Sequence, residues 1–588
     1  MCGIGGAAGT SLDNLMTGDA KDALRHRGPD GAGNLDLQGE GWGVSLSHTR
    51  LAINDLSDAG LQPFSHDATP LVMSFNGEIY NYAELRRSCE AFGYRFRSNM
   101  DGEVIIPLFE REGVECFKRL NGIFAIAIAD QRTGELWLTR DRLGVKPLLY
   151  RREATRFFFA SEPACLQEMS GQPLSVDETA LAQYFTFLYV PHPRTRHREI
   201  RSLRPGEVLR WRQGDPLDIK PGPHTIAPPS RLLTPEPSVA QAELERLFGA
   251  AVRRQTLSDV PIGLMASGGV DSSLVWAAQP EAIARAFTAV PQGSDIEGFW
   301  EDASASRRLA AHYSTPLSDV VIPEETGAFA PRSGDLLADP SYLLANRIAQ
   351  GARAEGIKVL FSGQGADECF AGYRRHQAYR WLEIARSFRG PLSRLLPVSD
   401  AFASGSVQRE YGVRLVRAAR SPDAFGAYYQ LYSYSSAEER ARLLDAHTSE
   451  VADAVVAEEH RRVWEGLPGP WSDLKKALVL DLLVYMPGIN LAVTDRAGMS
   501  AGVEIRVPWL DDHVVDFSLS LDPSVMLTAR DRKTLPVAMS RETLPRYVWD
   551  RPKRAFGVPT STLPAEGSRR QSRYIAYAAA CLDSGNLV

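Results

Sequence analysis

Cysteine is scarce in this 588-residue sequence, with six residues at positions 2, 89, 116, 165, 369 and 581, no C-x-x-C and no closely spaced pair. Disulfide frameworks need denser pairing and zinc sites need ligands a few residues apart, so both are disfavoured and a reducing compartment fits better. An excess of positive charge is also missing. Lys+Arg total 66 against 72 for Asp+Glu, a formal net charge of -6, which leaves no basic field for gripping a phosphate backbone, and nucleic acid is not an expected partner. No apolar run approaches ~20 residues and no basic-then-apolar leader opens the chain, so no membrane span or secretory signal is expected. Internal repeats and low-complexity tracts are lacking outside one proline-rich segment. These absences predict a soluble, cytoplasmic protein.

What is present is length enough for two or more cores. The proline-dense segment Gln213 to Val239 has neither helical nor strand periodicity and reads as a linker, over 213–239, between units spanning 2–212 and 240–588. Before it, short apolar or alternating runs (Val44 to Leu51, Leu71 to Asn76, Ile123 to Ala129, Glu135 to Thr139) are broken by Gly and Asn turns and predict a strand-rich unit. After it, strand-like Val260 to Ala266, Ala286 to Val290 and Lys358 to Phe361 alternate with helical segments such as Ala240 to Arg254, which predicts a parallel sheet covered by helices. Trp471 to Val493 carries the 3.6-residue period of a buried helix, and the tail is helical in composition.

Cys2 follows the initiator methionine, and removal of Met1 would place a thiol and a free α-amine on one residue. An α-amine with a pKa near ~8 can relay the thiol proton, so such a residue carries a nucleophile and its own base. A buried, inert cysteine is the plain alternative. An attack on a side-chain amide also needs an oxyanion hole, for which Asn76, Gly77 and Glu78 are candidates, and a clamp, for which Arg50 suits an α-carboxylate and Asp101 an α-ammonium. Each has an ordinary reading too: an Asn-Gly turn, a surface ion pair, a helix N-cap.

In the second unit the run Pro261 to Ala266 leads into Ser267, Gly268, Gly269, Val270, Asp271, Ser272 and Ser273 and then a helix. Paired glycines, hydroxyls and a helix N-terminus suit a phosphate group, and the absence of Gly-Lys-Ser/Thr excludes a Walker loop. A second loop, FSGQGADECFAGY (Phe361 to Tyr373), follows another buried strand. Asp367 and Glu368 there either serve a ligand or cap the next helix. Lys553 in DRPKRAFGVP is either a phosphate contact or a surface lysine.

The motifs CGIGG, RHRGPDG, HTRLAIND, FNGEIYN and RDRLGVKPLLY resemble, in order, the class II glutamine amidotransferase domain. That resemblance implies an α+β N-terminal nucleophile sandwich of antiparallel sheets in which Cys2 forms a thioester, Asn76 and Gly77 make the oxyanion hole, and Arg50, Glu78 and Asp101 hold glutamine. The S-G-G-x-D-S-S loop resembles that of ATP pyrophosphatases. From end to end, including DRAGMSAGVEIRVPWLD (Asp495 to Asp511), the chain resembles the glutamine-dependent asparagine synthetase family. The second unit is then an α/β parallel-sheet domain with a helical C-terminal part. The family implies ATP and Mg²⁺ as cofactors, Asp271 and Asp367 as metal carboxylates, and ATP or pyrophosphate contacts from Met265, Ser267, Gly268, Gly269, Asp271, Ser272, Ser273, Ala289, Ser362, Gly363 and Lys553. It implies an acceptor pocket with Asp495, Arg496 and Glu504, although ion pairing among these three is an equal reading. Glutamine and a carboxylate acceptor are the implied partners, ammonia passes internally, and a homodimer is compatible with the family.

Three positions depart from the family pattern. Gln364 stands where a glutamate commonly handles a proton during ammonia attack, and a glutamine is no general base at pH 7. STPLSDVV (Ser314 to Val321) lacks the usual histidines, and Ala338, Asp339, Pro340, Ser341 replaces a more acidic cluster. The glutaminase motifs carry no departure. A changed acceptor, a carboxylate of specialised metabolism rather than aspartate, is the expectation. Ordinary asparagine synthesis is the alternative, and a non-catalytic member or a lactam synthetase fits less well.

Overall fold

The alternating runs of the first unit become two antiparallel sheets packed face to face. The computed structural model describes residues 2–13, 15–66, 69–292, 299–323, 334–387, 407–444, 451–469, 471–551 and 573–583. One six-stranded sheet runs in the order Ile200–Ser202, Leu149–Arg152, Arg156–Ala160, Gly3–Gly9, Trp42–Arg50, Gly31–Gly39. The other runs Asp218–Pro221, Glu207–Trp211, Leu136–Arg140, Gly122–Asp130, Leu71–Ile79, Phe64–Ser65. Between them Ile4, Leu46, Val72, Ala125, Ala127, Phe157, Phe159 and Leu209 form a dry core. One face of each strand enters that core, and the other face of Leu71–Ile79 and Gly122–Asp130 packs into a second apolar cluster with Met73, Phe75, Ile126 and Ile128, so these two strands are buried on both sides.

Two expectations change here. The segment 213–239 holds regular structure, because Asp218–Pro221 pairs with Glu207–Trp211 and a helix, Pro237–Gln255, already begins before Val239. Proline at the first helical position costs no hydrogen bond, so the proline density that reads as a linker is also a helix start.

The second unit has a five-stranded parallel sheet ordered Leu317–Ile322, Ile283–Pro291, Ile262–Met265, Val359–Phe361, Glu504–Arg506. Chain order moves outward in both directions from Ile262–Met265, so a switch point lies between that strand and Val359–Phe361. Open α/β sheets bind ligands in the crevice at such a point, outside the strands' carboxyl ends. Beyond the sheet, the continuous helix Asp473–Met499 has a mean hydropathy of 1.7 over its most apolar 18 residues, and 78% of that window is buried inside the protein. This corrects the expectation that no apolar stretch is long enough to cross a membrane: its length and composition suffice, and its apolar side chains pack into the largest core. Its middle, Asp481–Asn490, is π-helical and contains Pro487. Proline lacks the N–H that the regular ladder needs, and a widened turn accommodates it.

Candidate active site

Strand Gly3–Gly9 is buried throughout and hydrogen-bonded on both edges, so Cys2 at its start is held between two neighbours. Cys2 is only 7% exposed, and its N–H donates to Asn76 Oδ1 at 2.9 Å. That bond turns the Asn76 amide so that Nδ2 is buried with no partner in the structure. An unspent donor beside a nucleophile is what an oxyanion hole requires. Asn76 and Gly77 are not in a turn; both lie within strand Leu71–Ile79. Odd-numbered amides of this strand point away from its partner Gly122–Asp130: Phe75 N donates to Gln62 Oε1 at 2.7 Å and Ile79 N to Asp101 Oδ2 at 2.5 Å. Gly77 N–H lies on the same side between them.

Burial pushes the Cys2 thiol up, and the positive charge of the N-terminus pulls it down. Removal of Met1 would place a free amine on Cys2 itself, where it can take the thiol proton as the sulfur attacks. Asp101 is buried, its Oδ1 has no partner, and burial raises its carboxyl to about 6 despite the bond from Ile79. Arg50 is buried, and its guanidinium donates to Ser57 O at 2.7 Å, to Asn54 O at 3.2 Å and to Asp55 O. Those carbonyls fix its plane. Glu78 accepts from Asn54 Nδ2 on one oxygen and meets a cation of the second unit on the other.

At the switch point, loop Ser267–Ser273 joins strand Ile262–Met265 to helix Val270–Ala278. Ser267 Oγ and Ser272 Oγ are 2.9 Å apart and brace the loop, and Gly268 has φ +65°, with no room for a Cβ against Asp302 O. Loop Ser362–Gly365 comes so close that a Cβ on Gly363 would lie 2.4 Å from Ser272 N. Met265 closes its strand, and Ala289 lies near the end of the adjacent one. Asp271 in the first turn of helix Val270–Ala278 and Asp367 in the first turn of the short helix Ala366–Cys369 both bond the Lys533 ammonium, Asp367 Oδ1 at 3.0 Å. Two carboxylates converging on one cation fit a divalent ion whose remaining ligands come from phosphate and water. No cluster of three or more His, Cys, Asp or Glu suited to a metal occurs among the described residues. Gln364 is bonded at both ends of its amide, Nε2 donating to Asn490 O at 3.1 Å and Oε1 accepting from Thr494 Oγ1 at 2.5 Å, with one N–H and one lone pair left over.

Residues 243–580 match the family model described as asparagine synthase, and residues 1–219 match the glutamine amidotransferase domain. The chain belongs to the asparagine synthase family. It is 28% identical over 574 residues to asparagine synthetase [glutamine-hydrolyzing] 1 of Bacillus subtilis (strain 168), covering 95% of this chain and 87% of that one. Over 521 residues it is 27% identical to asparagine synthetase [glutamine-hydrolyzing] 3 of the same organism, covering 84% and 76%. To amidase chyE of Penicillium rubens it is 27% identical over 636 residues, covering 98% and 91%. The protein is an ATP-dependent, glutamine-hydrolysing ligase.

In this asparagine synthase family member the signature segment Asp495 to Asp511 serves the contact between the units. Asp495 takes a two-pronged bond from Arg27, Nη1 to Oδ2 at 2.8 Å and Nη2 to Oδ1 at 3.0 Å, while Arg27 Nε holds Cys2 O at 3.2 Å. Arg496 bonds Asp335 at 2.6 Å and Asp495 at 3.1 Å. Glu504 bonds Arg506 Nε at 2.6 Å and lies 3.9 Å from Lys146 Nζ. Of the acceptor trio, ion pairing is the reading the geometry favours, and the trio is divided. Asp495 and Arg496 line a cavity of about 60 Å³ between the units, together with Arg140, His192 and Leu337, whereas Glu504 lies apart from it. Burial works against ionisation of Glu504, but the N-terminal positive charge and Arg506 hold its carboxyl well below the usual range.

Lys553 lies outside the described residues. Arg27, Arg506 and Lys533 are among the residues that the sequence reading does not single out. Arg27 sits in the quoted RHRGPDG motif and Arg506 in the quoted C-terminal signature, so both were within reach; Lys533 is a lone lysine in a basic stretch, with no pattern to mark it.

Proposed function

We propose that this ligase amidates a carboxylate other than free aspartate, using nitrogen released from glutamine at Cys2. The observation that carries the reading is the engagement of Gln364 by Asn490 and Thr494, at the point where relatives use a proton-handling glutamate. A primary amide held by both its ends cannot accept a proton, and it presents a different surface to the acyl group. The same helix contributes both partners, so the substitution belongs to a packed arrangement rather than to a loose side chain. The name amidase chyE, borne by a relative of comparable identity to the asparagine synthetases, supports treating the acceptor as variable within the family.

In this reading the Cys2 thiol passes its proton to the α-amine and attacks the glutamine side-chain carbonyl. Asn76 Nδ2 and Gly77 N–H take the oxyanion, ammonia leaves, and water resolves the thioester to glutamate. Arg50, Glu78 and Asp101 hold the amino-acid end of the substrate. At the second site the acceptor carboxylate attacks the α-phosphorus of ATP, and pyrophosphate leaves from the Ser267–Ser273 loop. Asp271 and Asp367 would hold a magnesium ion, which supplies charge neutralisation on the triphosphate. Lys533, bonded to both carboxylates, offsets their mutual repulsion. Ammonia then displaces AMP from the acyl adenylate. The cavity between the units supports an internal route. Its wall residues Leu491 and Ala492 lie between Asn490 and Thr494, which hold Gln364, and its wall residue Asp495 bonds Arg27, which holds Cys2.

A carboxylate panel incubated with ATP, Mg²⁺ and glutamine, read by pyrophosphate release, tests the reading. Turnover of aspartate as well as any other carboxylate would overturn it in favour of asparagine synthesis, which the names of most close relatives support.

A further inference from the structure

We propose that Arg506, in the synthetase half, is a positioning residue for glutamine binding in the glutaminase half, where it holds the Glu78 carboxylate in its working orientation. The inference rests on the reading that Cys2 hydrolyses glutamine and goes beyond it by making the glutamine site incomplete without a residue of the other unit.

Arg506 ends the edge strand Glu504–Arg506 of the parallel sheet and is completely buried. Three of its bonds fix the guanidinium plane: Nε to Glu504 Oε1 at 2.6 Å, and Nη1 to Gln255 O at 2.6 Å and to Leu257 O at 2.5 Å. Nη2 is left to face Glu78 Oε1 at 3.3 Å, across the boundary between the units. Glu78 Oε2 accepts from Asn54 Nδ2, and Oε1 meets the Arg506 charge at ion-pair distance without a hydrogen bond, so one oxygen is fixed by geometry and the other by charge. The setting makes that pair necessary. Burial, and after it the charges of Asp101 and Glu504, push the Glu78 carboxyl well above the usual range, and Arg506 with the N-terminal positive charge counters them only in part. Without Arg506, Glu78 would sit among like charges with one partner, free to turn away from the substrate. A lysine could answer one carboxylate with a point charge but could not reproduce the fork across Glu504, two carbonyls and Glu78.

The same short segment also frames the ATP-side loops through groups that do not depend on the Arg506 side chain. Arg506 O accepts from Ser362 N at 2.9 Å, and Trp509 Nε1 donates to Asp271 O at 3.2 Å. Exchange of the side chain therefore leaves those contacts in place, and affinity for ATP with Mg²⁺ serves as a check on folding.

The test uses full-length enzyme with Arg506→Met and Arg506→Lys, measuring glutamate release against glutamine concentration with no acceptor present. The thermal midpoint and ATP–Mg²⁺ affinity are measured alongside. For Arg506→Met the glutamine KM is expected to rise about tenfold or more while kcat stays within about threefold, the mark of lost ground-state binding. Arg506→Lys is expected to fall between that variant and wild type. Saturating 6-diazo-5-oxo-L-norleucine should still label Cys2 stoichiometrically in both variants, as read by intact mass. A folded Arg506→Met with the wild-type KM overturns the proposal, and so does a fall in kcat at unchanged KM. If Arg506→Met does not fold, Arg506→Lys decides: a KM raised about threefold or more supports the proposal, and an unchanged KM overturns it. Wild-type enzyme that releases no glutamate overturns the glutaminase reading itself, and this one with it.

Discussion

Cys2 and Gln364 occupy corresponding places in the two halves, each just beyond the end of a buried strand or at its start, yet their surroundings differ in kind. Around Cys2 donors and acceptors are left open: Asn76 Nδ2 and Asp101 Oδ1 are buried with nothing bound, as a site waiting for substrate requires. Around Gln364 both ends of the amide already have a partner in the helix behind it. Buried unpaired polar groups are costly, and a fold retains them where a ligand will satisfy them. The first half is therefore poised for a substrate its motifs already specify. In the second half Ser267 and Ser272 brace the first loop, and Gln364 bonds the helix behind it.

The largest effect that can break this comparison comes from Cys2→Ala. It should lower glutamine-driven amidation by roughly a thousandfold or more, while ammonium salts still drive pyrophosphate release with an accepting carboxylate. If both nitrogen sources fail equally, the halves are not separable in the way described. Next in size, Asp367→Asn should cut pyrophosphate release by roughly a hundredfold and leave acceptor-free glutaminase within about threefold, because the carboxylate pair serves only the ATP side. A parallel loss of glutaminase would show that the sites share more than a border.

A pH series sharpens the description of the open site. Burial raises Asp101 to about 6, so lowering pH through that value protonates the carboxyl expected to meet the substrate ammonium. Glutaminase kcat/KM should fall about tenfold per unit below pH 8 as the Cys2 α-amine takes up a proton, and about a hundredfold per unit below pH 6 where Asp101 does so as well. A slope that steepens only near pH 4 would remove Asp101 from the binding role. The smallest expected effect is that of Gln364→Glu. Its new carboxylate oxygen would face the Asn490 carbonyl that Gln364 Nε2 now bonds at 3.1 Å, so aspartate turnover should change by less than about threefold and the melting temperature should fall. A large gain in asparagine formation would mean that this one residue sets the acceptor chemistry.

The architecture was legible where chemistry and periodicity coincide along the chain. Leu71 to Asn76 and Ile123 to Ala129 are nearly continuous apolar runs because one face of each enters the sandwich core and the other a second cluster, and the strand, glycine pair and helix around Ser267 to Ser273 follow one another without interruption. The meeting of Cys2 with Asn76 and Gly77 has a local signal in the sequence, because strands of the two facing sheets each carry a compact motif. The role of Asp495 has none, because its partner Arg27 lies 468 positions away and nothing local marks a residue that bonds across a domain boundary. The strand Asp218–Pro221 was hidden by proline density, and the π-helical turn by an apolar period that continues smoothly through Pro487.

The buried edge strand Glu504–Arg506 has a consequence for dividing or recombining this enzyme. Sheet edges usually carry some protection against unwanted pairing, and this one is three residues long, with its two charged side chains completely buried and answered from the other unit by Glu78 and Lys146. A synthetase half produced alone, cut in the proline-rich segment, would expose that edge and leave those charges without half their partners. It should aggregate where the whole chain does not. Chimeras meant to exchange acceptor specificity will keep their solubility only if the strand travels with the glutaminase surface that covers it.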